Sequence, residues 1–139
     1  MRYYLDTNIL IFMLSGKKDD INADVQFIID DYANTLFTSS VAVNELIFLY
    51  KNEKLGFLKF KSEEEILKGL TERIGVEIVY FNKHHFKVYA SLQIARDHKD
   101  MNDHAIISQA IADKMALISS DRKFDCYKKQ GLNFVFNRR

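Results

Sequence analysis

The sequence contains no proline, and no Gly/Ser-rich tract, low-complexity segment or clear repeat divides its 139 residues. With no linker to mark a boundary, one domain spanning residues 1–139 is expected. A single cysteine, Cys126, excludes an intramolecular disulfide and a cysteine-rich zinc site, and it fits a reducing cytoplasm. An excess of one charge is also missing. Twenty Lys and Arg stand against nineteen Asp and Glu, leaving +1, so any polyanion must be held by a local patch rather than by the whole surface. Long hydrophobic runs are missing too. Near the N-terminus the apolar run Ile9 to Leu14 follows Asp6 and Asn8, too short and too polar for a signal-peptide core or a membrane span. The N-terminus is therefore expected to stay in the folded protein, with no membrane involved. What is present is 47% hydrophobic residues with eleven Phe and seven Tyr, enough for a core without disulfides.

Short apolar strands alternate with helical periodicity. Tyr3-Tyr4-Leu5, Leu36-Phe37-Thr38, Val76 to Phe81, Ala116 to Ser119 and Asn133 to Phe136 read as strands. Between them, helices are expected over Ile9–Leu14, over Ile21–Tyr32 and, buried, over Val41–Tyr50. Others run from the capping-box sequence Ser62-Glu63-Glu64-Glu65 to about Ile74, from Asn82 to about Arg96, and from Asn102 or Asp103 onward. Arg122–Gln130 also reads as helical. This alternation predicts an α/β fold, a three-layer α/β/α sandwich around a mostly parallel sheet of about five short strands.

Three acids, Asp6, Asp103 and Asp121, stand where a strand gives way to a helix or where a helix begins. Taken singly, each is also what a helix N-cap requires. Glu45 differs, because its neighbours three and four residues away in the helix are Val41, Ala42, Phe48 and Leu49. A carboxylate on such a face calls for a cation, a salt bridge or an escape to solvent. In an open parallel sheet the ligand crevice lies beyond the carboxyl ends of the strands, where Asp6 and Asp121 belong and where helices entering that edge would add Glu45 and Asp103. Carboxylates gathered there repel, by about 4 kcal/mol for a pair 4 Å apart at an effective dielectric of about 20. A hard divalent cation relieves that repulsion, and an all-oxygen donor set favours Mg²⁺ or Mn²⁺ over zinc. Such a centre suits phosphodiester hydrolysis. Thr7, Asn8, Ser119 and Ser120 line the same edge, as site residues or as ordinary turn residues.

Leu5-Asp6-Thr7-Asn8, Ser39-Ser40 with Asn44-Glu45-Leu46, Asp103 with Ile106-Ile107 and Ala110, and Leu117-Ile118-Ser119-Ser120-Asp121 with Phe124 follow one another in order. Together they resemble the four motifs of the PIN-domain family, across residues 5 to 124. The resemblance implies a Mg²⁺- or Mn²⁺-dependent endoribonuclease of the VapC type, the toxin of a toxin–antitoxin pair. It further implies a homodimer held inactive by a small cognate antitoxin. Carried over by position, Asp6, Glu45, Asp103 and Asp121 are the metal and catalytic acids. Asp100 stands three residues before Asp103 as a substitute or helper, and Asp97 is near.

Other features have two readings. Lys51, Lys54, Lys59 and Lys61 interleave with Leu55, Phe57, Leu58 and Phe60, either as an RNA- or partner-binding patch or as a solvated face over buried apolar residues. Arg138 and Arg139 form a small basic tail. His84, His85, His98 and His104 show no zinc spacing; His104 reads as an exposed helix histidine, and Cys126 as a half-buried structural thiol. Competing functions are a catalytically silent PIN-like scaffold that binds RNA or a partner protein, and another Asp-centred α/β domain. A phospho-accepting receiver needs adjacent acids after its first strand and a haloacid-type phosphatase needs Asp-x-Asp; Asp6-Thr7-Asn8 supplies neither.

Overall fold

The computed structural model describes residues 1–139, the side chain of Lys18 excepted. Five strands, β1 (Arg2–Leu5), β2 (Thr35–Ser39), β3 (Glu77–Val79), β4 (Ala116–Ser119) and β5 (Phe134–Phe136), form one sheet in the order β3-β2-β1-β4-β5. Every neighbouring pair is parallel. The helices are α1 (Thr7–Ser15), α2 (Ala23–Asp30), α3 (Ser40–Lys51), α4 (Glu63–Lys68), α5 (Lys83–Ser91) and α6 (Met101–Asp113), and Arg122–Gln130 is a 3₁₀-helix. The expected α/β/α sandwich is the fold observed.

The chain winds from β1 to β2 to β3 in one direction, then returns across the sheet to β4. Parallel crossovers are right-handed, so α1 to α4 cover one face and α5 and α6 the other. Tyr4 points to the second face, where its hydroxyl meets Asp113 and Gln109 of α6. Tyr3 and Leu5, one residue either side, point the opposite way because strand side chains alternate. The reversal of winding direction falls between β1 and β4, the place where open parallel sheets form their ligand crevice. There the Asp6 N–H donates to the Ile118 carbonyl at 3.0 Å, carrying the β1–β4 ladder one residue past the strand.

Several boundaries differ from the sequence reading, each for a local reason. Helix α2 begins at Ala23, because the Asn22 side chain caps it by accepting the Val25 N–H; Ile21 is buried just outside it. The segment from Glu63 to Arg73 stays helical but loosens to a π-turn from Gly69. A Cβ at Gly69 would lie 3.2 Å from Leu14 and 3.3 Å from Phe60, so glycine permits the close pass against α1. Helix α5 stops at Ser91, five residues before Arg96, where Leu92 turns to extended backbone. Arg122–Gln130 is 3₁₀ rather than α. Helix α3 is buried on one side through Ala42, Val43 and Leu46 while Phe48 stays 63% exposed. Two side-chain expectations fail: His104 is buried and Cys126 is exposed.

The Lys51–Lys61 segment takes the second of its two readings. Leu55 and Leu58 are buried in the core, Phe60 packs partly against it, and the lysines are exposed. Phe57 alone among these apolar residues is half exposed, with Lys17 over its ring at 4.7 Å. The basic tail is tied down: Arg139 pairs with Asp20 at 3.2 Å and lies 4.8 Å over the Phe12 ring.

Candidate metal centre

Each predicted acid reaches the carboxyl edge of the sheet by a local device. Asp6 ends β1 and caps α1, its Oδ1 accepting the Thr7 N–H at 2.8 Å. Its Oδ2 accepts from the Ser119 hydroxyl at 2.6 Å and from the Asn8 amide at 3.2 Å. Asp121 follows β4 and caps the 3₁₀-helix by accepting the Lys123 N–H at 2.9 Å. Capping and membership of the cluster are therefore compatible in both residues. The same Ser119 oxygen that donates to Asp6 accepts the Asp121 N–H at 3.0 Å, so one hydroxyl bridges the ends of two neighbouring strands.

The cap of α6 is Asp100, which accepts the N–H groups of Asn102 and Asp103. With the cap occupied by Asp100, Asp103 sits one turn into the helix and faces inward. Asp97 lies on the preceding turn, exposed and at φ 66°. Glu45, half-buried on α3, accepts from the Asn102 amide at 3.4 Å, which joins the first turns of α3 and α6.

The electrostatics identify this as one cluster. Asp6 is 3% exposed. Its pKa is pushed up to about 7, chiefly by burial and further by the charges of Asp103 and Glu45, against the pull of the Ser119 and Thr7 hydrogen bonds. Asp103 is also raised to about 7, by burial first and then by Asp100, Asp121 and Glu45, with Lys123 opposing. Two carboxyl groups displaced this far from the usual carboxylate range mark an uncompensated concentration of negative charge.

The tightest part of the cluster includes a residue that the sequence reading missed. Ligand-type atoms of His98, Asp103 and Asp121 all lie within 4.8 Å of one another; Asp6 and Glu45 stand outside that group but within electrostatic reach of Asp103. His98 is 2% exposed, and its Nε2 is 3.0 Å from Asp103 Oδ2. Its Nδ1 is 2.7 Å from the Tyr127 hydroxyl, which also accepts the Ala95 N–H at 3.0 Å. Burial lowers the His98 pKa, outweighing the pull of Asp121 and Asp100. His104 donates from Nε2 to the His98 carbonyl at 2.8 Å. Buried there, it braces the turn behind the site.

The donor set fits a hard divalent cation: carboxylate oxygens of low exposure, two of them held partly protonated near neutral pH for want of a counter-charge. Thr7 adds a buried hydroxyl beside Asp6 that has no hydrogen-bond partner among the described residues.

The sequence matches the PIN domain family model over residues 3–130, and the chain belongs to the PIN-domain family. No curated protein matches it. Among solved structures it is similar to a chain of VapBC2 from Rickettsia felis bound to a DNA fragment from its promoter, at 22% identity, 99% coverage of each chain and a TM-score of 0.67. It is similar to a chain of VapBC-1 from nontypeable Haemophilus influenzae, at 23% identity, 98% coverage of each and a TM-score of 0.63. A toxin–antitoxin complex from Klebsiella pneumoniae contains a third similar chain, at 16% identity, 96% of this chain and 95% of that one, and a TM-score of 0.65. At these identities the likeness is one of fold.

Proposed function

We propose that this protein, as one nuclease unit over residues 1–139, is a Mg²⁺- or Mn²⁺-dependent endoribonuclease, with Asp6, Glu45, Asp103 and Asp121 as its metal and catalytic acids. The observation that carries the reading is the pair of carboxyl groups, Asp6 and Asp103, raised to about 7 at the winding reversal of the sheet. A divalent cation bound among these acids would supply positive charge to the phosphoryl oxygens and acidify an attacking water.

The chain's own residues prepare the site. Ser119 and Thr7 fix the Asp6 carboxylate by donating to both of its oxygens. Asn102 holds Glu45 from across the cleft. Asp121, half-buried beside exposed Lys123, would hold the cation together with Asp103 from the solvent side of the cluster. Lys123 offers a positive charge for the entering phosphate chain.

The order of the four motifs and the similarity to VapBC and other toxin–antitoxin structures support a toxin held by a small antitoxin, working as a homodimer in the cytoplasm. Among the described residues no helix is long and apolar enough to cross a membrane. The test is RNA cleavage by the purified protein with Mg²⁺ or Mn²⁺, abolished by EDTA and by Asp6→Asn. Full cleavage by Asp6→Asn would remove the mechanism, and inertness toward every RNA tried would favour a silent scaffold.

A further inference from the structure

We propose that His98 is a positioning residue for Asp103: its Nε2–H holds Oδ2 of that carboxylate and leaves the other oxygen free for a cation that Asp103 and Asp121 would hold together. The inference rests on the four-acid reading above.

Hydrogen-bond accounting fixes the role of the ring. The Tyr127 oxygen accepts the Ala95 N–H at 3.0 Å, and for the proton of this fully buried hydroxyl the one acceptor among the described residues is His98 Nδ1 at 2.7 Å. Nδ1 is therefore an acceptor, and a neutral imidazole then carries its proton on Nε2, which faces Asp103 Oδ2 at 3.0 Å. A nitrogen that bears a proton has no lone pair for a metal. Of the three groups within 4.8 Å, two are thus ligands and the third is their support. This inverts the common metal-site arrangement in which a carboxylate orients a ligating histidine.

The surroundings of His98 are built to hold it still. Its amide N–H closes a turn onto the Ala95 carbonyl at 3.1 Å, with Asp97 in the left-handed region at the corner. The His104 Nε2–H clamps its carbonyl, and the His104 ring stands edge-on to it with centroids 4.7 Å apart. A side chain 2% exposed, held at the ring, the carbonyl and the amide, gives its neighbour one direction.

Mn²⁺ titrated calorimetrically into the purified metal-free protein, with no RNA present, reads the effect. His98→Ala is expected to weaken Mn²⁺ binding about 10–100-fold, the range for losing a residue that orients a ligand. His98→Gln, whose Nε2–H sits at similar reach, restores most of the affinity. In an Asp103→Asn background His98→Ala adds nothing, because the two act as one unit. A merely structural role would lower the melting temperature of both His98 variants without separating them in Mn²⁺ affinity. Folded His98→Ala protein that binds Mn²⁺ as tightly as the wild type overturns the proposal and leaves the four acids standing if Asp103→Asn loses binding. Undiminished binding by Asp103→Asn overturns both. Should the variants not fold, the ¹⁵N histidine spectrum of the wild type decides: an Nε2–H tautomer at His98 is expected, and an Nδ1–H tautomer would make the ring itself a ligand and end the proposal.

Discussion

Helix α6 carries an aspartate toward each end, and each is paired with a buried histidine. At the amino end His98 meets Asp103 at 3.0 Å, and at the carboxyl end His85 meets Asp113 at 2.9 Å. In both rings Nδ1 accepts, from the Tyr127 hydroxyl in one case and from the Asn82 N–H in the other. What surrounds the two carboxylates differs. Asp113 opposes the negative end of the helix dipole, but donors fill it, the Tyr4 hydroxyl on one side and His85 on the other. Asp103 lies at the favourable end of the dipole and is nevertheless raised to about 7 by burial and by three other acids. The same pair is a clasp where donors saturate it, tying β1, α5 and α6 together, and a site where lone pairs stay open among like charges.

The sharpest way to break this comparison is to neutralise the amino-end acid. Asp103→Asn is expected to lower Mn²⁺-dependent RNA cleavage by about 10²–10⁴-fold while the far-ultraviolet circular dichroism stays native. Retained cleavage would put the two pairs in the same class.

A second difference lies in pH. Asp6 and Asp103 bind protons in the folded state up to about pH 7, whereas unfolded carboxyl groups release them near pH 3.9. The folded state therefore holds more protons between these values, and stability falls as pH rises through that window. The melting temperature of metal-free protein should drop by several degrees from pH 5 to pH 8, and saturating Mn²⁺ should remove the slope. A flat metal-free profile would refute the shared charge.

The carboxyl-end pair predicts the reverse pattern. His85→Ala breaks the Asp113 contact and the α5 capping box together, at an expected cost of about 1–3 kcal/mol in urea unfolding, with Mn²⁺ affinity unchanged. The smallest effect belongs to Asp100→Ala, which removes the cap of α6 for about 1 kcal/mol. It should leave cleavage far closer to wild type than Asp103→Asn does. Equal losses from the two would mean that Asp100 shares the role given to Asp103.

Much of this was legible in the residues. Strands β1, β2 and β4 are short, largely apolar runs, each with a helix-capping polar residue at its end or within two residues of it, so the edge that carries Asp6 and Asp121 follows from alternation and the parallel-sheet rule. Glu45 was found by its apolar neighbours at three and four residues. Glu45 is less buried than that spacing predicts, because exposed Asn44 and Phe48 flank it. His98 left no such trace. It stands five residues before Asp103, in an irregular stretch across a helix cap, where no periodicity relates the two. Its orientation depends on Tyr127, 29 residues on. The early end of α5 is invisible for a related reason: the stretch Leu92 to Asp100 has no glycine or proline, and the turn is held by tertiary bonds between Gln93 and Gln130 and from Ala95 to Tyr127.

The Ser119 hydroxyl ties together two strand ends that the backbone ladder already holds about 4.8 Å apart. The spacing of Asp6 and Asp121 is therefore a property of the sheet and as hard to stretch as the sheet. Glu45 and Asp103 ride on α3 and α6, which side-chain contacts, not ladder bonds, hold to the sheet. The site works like a vice with one jaw cast into the sheet and the other bolted onto it. An ion wider than Mg²⁺, such as Ca²⁺, would have to be met by helix movement, and any discrimination by ionic radius would be set by how tightly the helices pack.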